Sequence, residues 1–109
     1  MTPIQAATKK WFEMEGWVSV IREGYGYSYR DPKGNGHEEL PTIDANYFFS
    51  VVVGRMRGLG LIMDTHHWVD RFCEVRFTNI DRIIAKVSDE SIVLAGLNAA
   101  IAAREEMGV

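Results

Sequence analysis

Apolar residues near the start of the chain recur at helical spacing. Ile4, Ala7, Trp11 and Met14 fall on one stripe. Thr2-Pro3-Ile4-Gln5 supplies a capping box ahead of them, with Pro3 at the first helical position, and Gly16 is placed to end the helix. The pattern then shortens. Trp17 to Ile21 is rich in β-formers with apolar groups on both faces, and Tyr25 to Arg30 alternates with period two, which puts Tyr25, Tyr27 and Tyr29 on one face. A second helical stripe follows Asp44, its N-cap, with Thr42 as a rival. Phe48, Val52 and Met56 lie four apart, with Phe49 and Val53 beside them, and Gly58 and Gly60 stop it. Leu61 to Met63 start a strand, Asp64 to Asp70 form a polar corner, and Arg71 to Thr78 alternates again. Arg82 to Val87 is the last strand. A third helix begins near Ser88 or Asp89, with Val93, Leu94, Leu97 and Ile101 as its stripe. Its alanines at 95, 99, 100, 102 and 103 keep it thin, and Gly108 lies just past its end.

The predicted order is α-β-β-α-β-β-β-α. Most strands read as apolar on both faces, so the expected fold is α+β. It is a three-layer α/β/α sandwich in which three helices cover a mainly antiparallel sheet of about five strands. A chain of 109 residues is expected to form one domain, residues 1–109.

Composition narrows the function classes. The net charge of −3 argues against a nucleic-acid binder that works through a broad basic face. Cys73 is the only cysteine, so no intrachain disulfide can form. No apolar run is long enough to span a membrane, and the first fifteen residues lack a signal-peptide core, so the expected location is the cytoplasm.

Two regions carry candidate chemistry. Asp64, His66, His67, Asp70, Cys73 and Glu74 are all possible metal ligands within eleven residues. Their spacing fits no zinc signature, and adjacent histidines on an extended segment point to opposite sides. Asp64, His66 and His67 are therefore weak metal candidates beside the plainer reading of a solvated hairpin tip. Cys73, in a strand with Val75 and Phe77, reads as an inert core thiol. Gly54 and Gly58, four apart, read as a close-packing pair.

The second region is GYGYSYRDPKGNGHEELP, residues 24–41. Tyrosines offer flat stacking area and a hydroxyl, and Arg30, Lys33 and His37 add donors. The same tyrosines also suit a cross-strand row beneath a helix. Residues 31–41 read as a long loop without secondary structure, basic at its start and acidic at Glu38 and Glu39. The proposed binding surface is Tyr25, Tyr27, Tyr29, Arg30, Lys33, His37, Glu38 and Glu39.

Several stretches resemble the phage ABA sandwich family. They are Leu40-Pro41-Thr42-Ile43-Asp44-Ala45, a helix ending Arg57-Gly58-Leu59-Gly60, a hairpin with Trp68 and Glu74-Val75-Arg76-Phe77, and Ser88-Asp89-Glu90-Ser91 opening the helix through Leu94-Ala95-Gly96-Leu97-Asn98-Ala99-Ala100-Ile101. Glu15-Gly16-Trp17 resembles the family's glycine–tryptophan after its first helix. The expected serine or threonine cap of the middle helix is displaced, and residues 24–39 match no family pattern. The resemblance implies a small protein of bacteriophage or mobile elements, with helices about an antiparallel sheet, and implies no activity. The expected function is then a non-enzymatic accessory protein without a cofactor. It binds a host protein or protein complex, such as a CRISPR effector, and blocks it sterically. The alternative is a sponge for a nucleotide signal, with tyrosines stacking a base and Arg30, Lys33 or Arg22 holding phosphate. A homo-oligomer stays open under either reading.

Overall fold

The computed structural model describes residues 1–20, 28–67 and 72–109. Backbone contacts divide the chain into two compact units, Met1–Thr42 and Ile43–Val109.

The first unit opens with α1 (Pro3–Met14). Its capping box forms as the sequence predicts: Gln5 N donates to Thr2 Oγ1 at 3.2 Å, and Thr2 N donates to Gln5 Oε1 at 2.8 Å. Ala7, Trp11 and Phe12 are its buried residues, so the stripe is broader than its predicted members. Three two-residue strands follow: β1 (Val18–Ser19), β2 (Tyr29–Arg30) and β3 (Gly36–His37). They pair antiparallel in that order, with Ser19, Tyr29 and His37 in one cross-strand row and Val18, Arg30 and Gly36 in the next.

The second unit begins with α2, residues 45–58. Asp44 caps it as expected, accepting from Tyr47 N at 2.8 Å. Its middle turn, Phe48–Val52, is a π-helix, in which each bond skips one residue more than in an α-helix. Phe48, Val52 and Met56 are fully buried, whereas Phe49 is exposed. Strands β4 (Ile62–His67), β5 (Cys73–Thr78) and β6 (Ile83–Asp89) form an antiparallel sheet in sequence order. Phe77 pairs with Ala85 and Thr78 with Ile83, which leaves Ile84 as a bulge residue. The last helix, α3 (Ile92–Met107), is capped by Ser91 and packs along β5 and β6. Gly96 of α3 receives the ring of Phe48: a Cβ built there would lie 2.2 Å from the ring's Cζ.

One device ends the three helices of the described residues. Gly16, Gly60 and Gly108 have φ of 95°, 85° and 73°. The residue after each donates back to a carbonyl five positions earlier: Trp17 to Phe12, Leu61 to Met56 and Val109 to Arg104. These are Schellman caps, and in the first the rings of Phe12 and Trp17 meet at 5.1 Å.

The expected sandwich is corrected in two respects. The described residues hold six strands in two three-stranded sheets, in place of about five strands in one. The sheet of the second unit is also not apolar on both faces. Val75 and Phe77 are fully buried on the face of β5 that shares its rows with Met63, Thr65, Ala85 and Val87. The opposite face carries Asp64, His66, Glu74, Arg76, Lys86 and Ser88, with Ile62 and Ile83 exposed at one end, and so is mainly polar. Two smaller readings also change. Residues 31–41 are not a structureless loop, because β3 lies within them. Gly54 and Gly58 are not a close-packing pair, because a Cβ at either would meet nothing within 4 Å.

Candidate functional site

The best-built polar constellation centres on Asp31, in the turn between β2 and β3. Its Oδ1 accepts from the backbone N–H groups of Lys33 at 3.0 Å and Asn35 at 2.9 Å. Gly34 N donates to its carbonyl, and its own N–H donates to the Asn35 carbonyl. Its Oδ2 meets His37 Nε2 at 2.9 Å. Aspartate begins such turns because its short carboxylate reaches backbone N–H groups two and four residues on. The carboxyl is held below its ordinary value of 3.8. The largest cause is the His37 hydrogen bond; burial opposes the shift, and the Asn35 and Lys33 N–H groups add to it.

His37 is fixed from a second side. Its ring lies 4.8 Å from that of Trp17, tilted by 40°. Trp17 in turn meets Phe12 of α1, so the Schellman cap of α1 places the indole on which the histidine rests. A Cβ on Gly16 would stand 3.4 Å from Pro32 Cγ, so the cap glycine also leaves room for the turn. Ser28 N donates to the His37 carbonyl at 2.9 Å and extends the pairing by one bond.

The predicted binding residues divide by face. Tyr29 and His37 are cross-strand neighbours, both half-buried, on the face that meets Trp17. Arg30 belongs to the other, exposed row with Val18 and Gly36, and Lys33, Glu38 and Glu39 are exposed. Tyr25 and Tyr27 lie outside the described residues. Asp31 and Trp17 hold the hairpin together, and neither stood among the predicted site residues. The signal for Asp31 was present in Asp31-Pro32-Lys33-Gly34-Asn35, an aspartate opening a glycine-containing turn. Nothing local announced Trp17, because its contact with His37 spans twenty residues of sequence.

The metal candidates are divided between faces. His66 and Asp64 share one face of β4, with Nε2 and Oδ2 3.7 Å apart. His67 faces the other way and stands opposite Cys73, its Nδ1 3.3 Å from Sγ. Cys73 is half-exposed with a polar partner, which corrects the reading of an inert core thiol. The corner itself is corrected as well: Asp64, His66 and His67 belong to β4 and not to a hairpin tip. The described residues contain no cluster of three or more potential metal ligands. Among them, no helix is long and apolar enough to cross a membrane.

The chain was compared with protein-family models, curated proteins and solved structures, and it matches none of them.

Proposed function

We propose that this chain is a non-catalytic binding domain whose β2–β3 hairpin engages a macromolecular partner and blocks it by occupying its surface. The observation that supports this reading is the Asp31 latch. Backbone hydrogen bonds and the His37 contact fix the turn in one conformation, and Trp17 supports the histidine. A turn held this way has less freedom to lose on binding, so more of its contact energy appears as affinity. It presents Arg30 and Lys33 beside Glu38 and Glu39, a charged rim able to read a partner's charge pattern. The proposed setting, bacteriophage counter-defence with a CRISPR effector as the class of target, rests on the sequence resemblance alone.

The test is phage plating on bacteria with an active CRISPR system, with and without this protein. Restored plating is expected, together with its loss in the Arg30→Glu/Lys33→Glu double variant at unchanged far-UV circular dichroism. Equal plating with and without the protein sinks the anti-CRISPR reading. A thermal-shift titration with cyclic dinucleotides addresses the sponge alternative. A ligand at 100 times its dissociation constant stabilises by about 2.7 kcal/mol, and such a shift would replace the steric reading with sequestration.

A further inference from the structure

β4 is an edge strand. Among the described residues it pairs with β5 alone, runs unbroken through six residues, and contains no proline or lysine. Edges of this kind present unpaired N–H and C=O groups to any strand that can lie beside them. The other edge, β6, is defended differently: Lys86 sits mid-strand and Ile84 bulges near its start.

The charges on β4 are arranged for a particular neighbour. When a strand pairs antiparallel with its own copy about a two-fold axis normal to the sheet, side chains keep their face and residues pair symmetrically about the central one. A two-fold at Asp64 sets Asp64 against the partner's Asp64, and a two-fold at His66 sets His66 against the partner's His66. A two-fold at Thr65 avoids both. Thr65 then faces Thr65, Asp64 faces the partner's His66 twice over, and Met63 faces the partner's His67 twice over. Opposite-charge pairs and threonine pairs directly across an antiparallel ladder are stabilising. Asp64 and His66 are exposed, with 58% and 48% of their side-chain surface accessible.

We propose that β4 pairs with β4 of a second copy of this chain, antiparallel and centred on Thr65, joining two three-stranded sheets into one of six strands. The charge complementarity selects a second copy as occupant, because the strand carries both members of each pair at mirror positions. In the monomer, Glu74 of β5 stands opposite His66 and Arg76 opposite Asp64, while Glu74 is bound by Arg76 at 2.6 Å and Lys86 lies one strand further on the same face. Asp64 and His66 of one copy also stand 3.7 Å apart, so the partner's His66 and Asp64 extend an existing pair across the seam.

Sedimentation equilibrium tests the assignment. The wild-type chain should reach twice its 12.4 kDa mass with rising concentration. Asp64→Lys, which sets a lysine against the partner's His66, should weaken the dimer by about tenfold or more, equivalent to about 1.4 kcal/mol. The exchange Asp64→His/His66→Asp keeps both pairs between the copies complementary and should preserve the dimer; because it sets histidine opposite Arg76 and aspartate opposite Glu74 within each sheet, it is read at unchanged far-UV circular dichroism. Trapping gives an independent measurement. On a Cys73→Ser background, Thr65→Cys should form an intermolecular disulfide. Asp64→Cys should not, because its two copies are diagonal neighbours about 7–8 Å apart, beyond disulfide reach. A wild-type chain that stays monomeric, a dimer indifferent to Asp64→Lys, or equal trapping at both positions overturns the proposal.

Discussion

Gly96 is the position where one added carbon has the largest calculable effect. A Cβ built there stands 2.2, 2.7 and 2.9 Å from Cζ, Cε1 and Cε2 of Phe48. Carbon atoms in contact settle at about 3.5–4.0 Å, so the ring tip must retreat by more than an ångström. It has little room to do so. Phe48 is fully buried, its neighbour Phe49 touches it edge-on at 5.2 Å, and its backbone lies in the π-turn of α2. Overpacking of this kind costs typically 1–3 kcal/mol and occasionally more. With three contacts below 3 Å we take about 3 kcal/mol. Against it stands the helix-propensity gain of glycine to alanine, about 1 kcal/mol. Gly96→Ala should therefore destabilise by about 2 kcal/mol and lower Tm by roughly 10 °C for a chain of this size. The assay is thermal unfolding followed by circular dichroism, run beside Phe48→Leu and the double variant. Leucine withdraws the ring tip, so the alanine should cost less in that background, with a coupling of about 1 kcal/mol or more. A Gly96→Ala protein as stable as wild type, or more stable, would show that Phe48 is not seated on Gly96, and the α2–α3 contact would have to be redrawn.

Three further outcomes follow from individual residues. Gly54→Ala in α2 places a methyl in open space and should raise stability by about 0.4–1 kcal/mol in urea unfolding, whereas Gly60→Ala at φ 85° should lower it by about 1–2 kcal/mol; effects of the same sign would contradict the helix end. Asp31 has a folded-state pKa below its ordinary 3.8, so its stabilising contribution is complete above that value and disappears as pH falls through the lowered one. Asp31→Asn should flatten this acid limb of the urea midpoint, and an unchanged limb would remove Asp31 from the latch. Ser91→Ala deletes the side chain that accepts from Leu94 N at 3.2 Å and should cost α3 about 1 kcal/mol of stability, read as a lower urea midpoint.

Helix ends were the most legible features because their chemistry is local. Thr2, Asp44 and the glycines at 16, 60 and 108 act within a few residues of where they stand, and each performs the role its neighbours imply. The start of α3 was legible only to within three residues. Asp89 attracts the assignment, but it belongs to β6 and accepts from Ser91 N at 3.0 Å, so it supports the true cap from outside. The π-turn left no trace in the spacing. Phe48, Val52 and Met56 fit an ordinary helical stripe, and only the exposure of Phe49 beside them departs from it.

The strands of the second unit were legible in place but not in cover, and the reason bears on where binding surfaces should be sought. Alternation reports which residues share a face but not whether anything covers that face. In β5, Val75 and Phe77 are buried while Glu74 and Arg76 neutralise one another on the far side, and a sequence window registers both as one mixed strand. In β2 and β3 the paired segments are two residues long, too short for any period to show. What specifies them is the Asp31 carboxylate, which satisfies backbone donors across the turn, together with an indole delivered by the end of α1. A hairpin defined by its turn chemistry and not by burial keeps its outer row, Val18, Arg30 and Gly36, exposed. Asp31 and His37 carry the contacts that set the turn, and the exposed Lys33 does not. Substitutions at Lys33 should separate binding from stability, and substitutions at Asp31 should move both together.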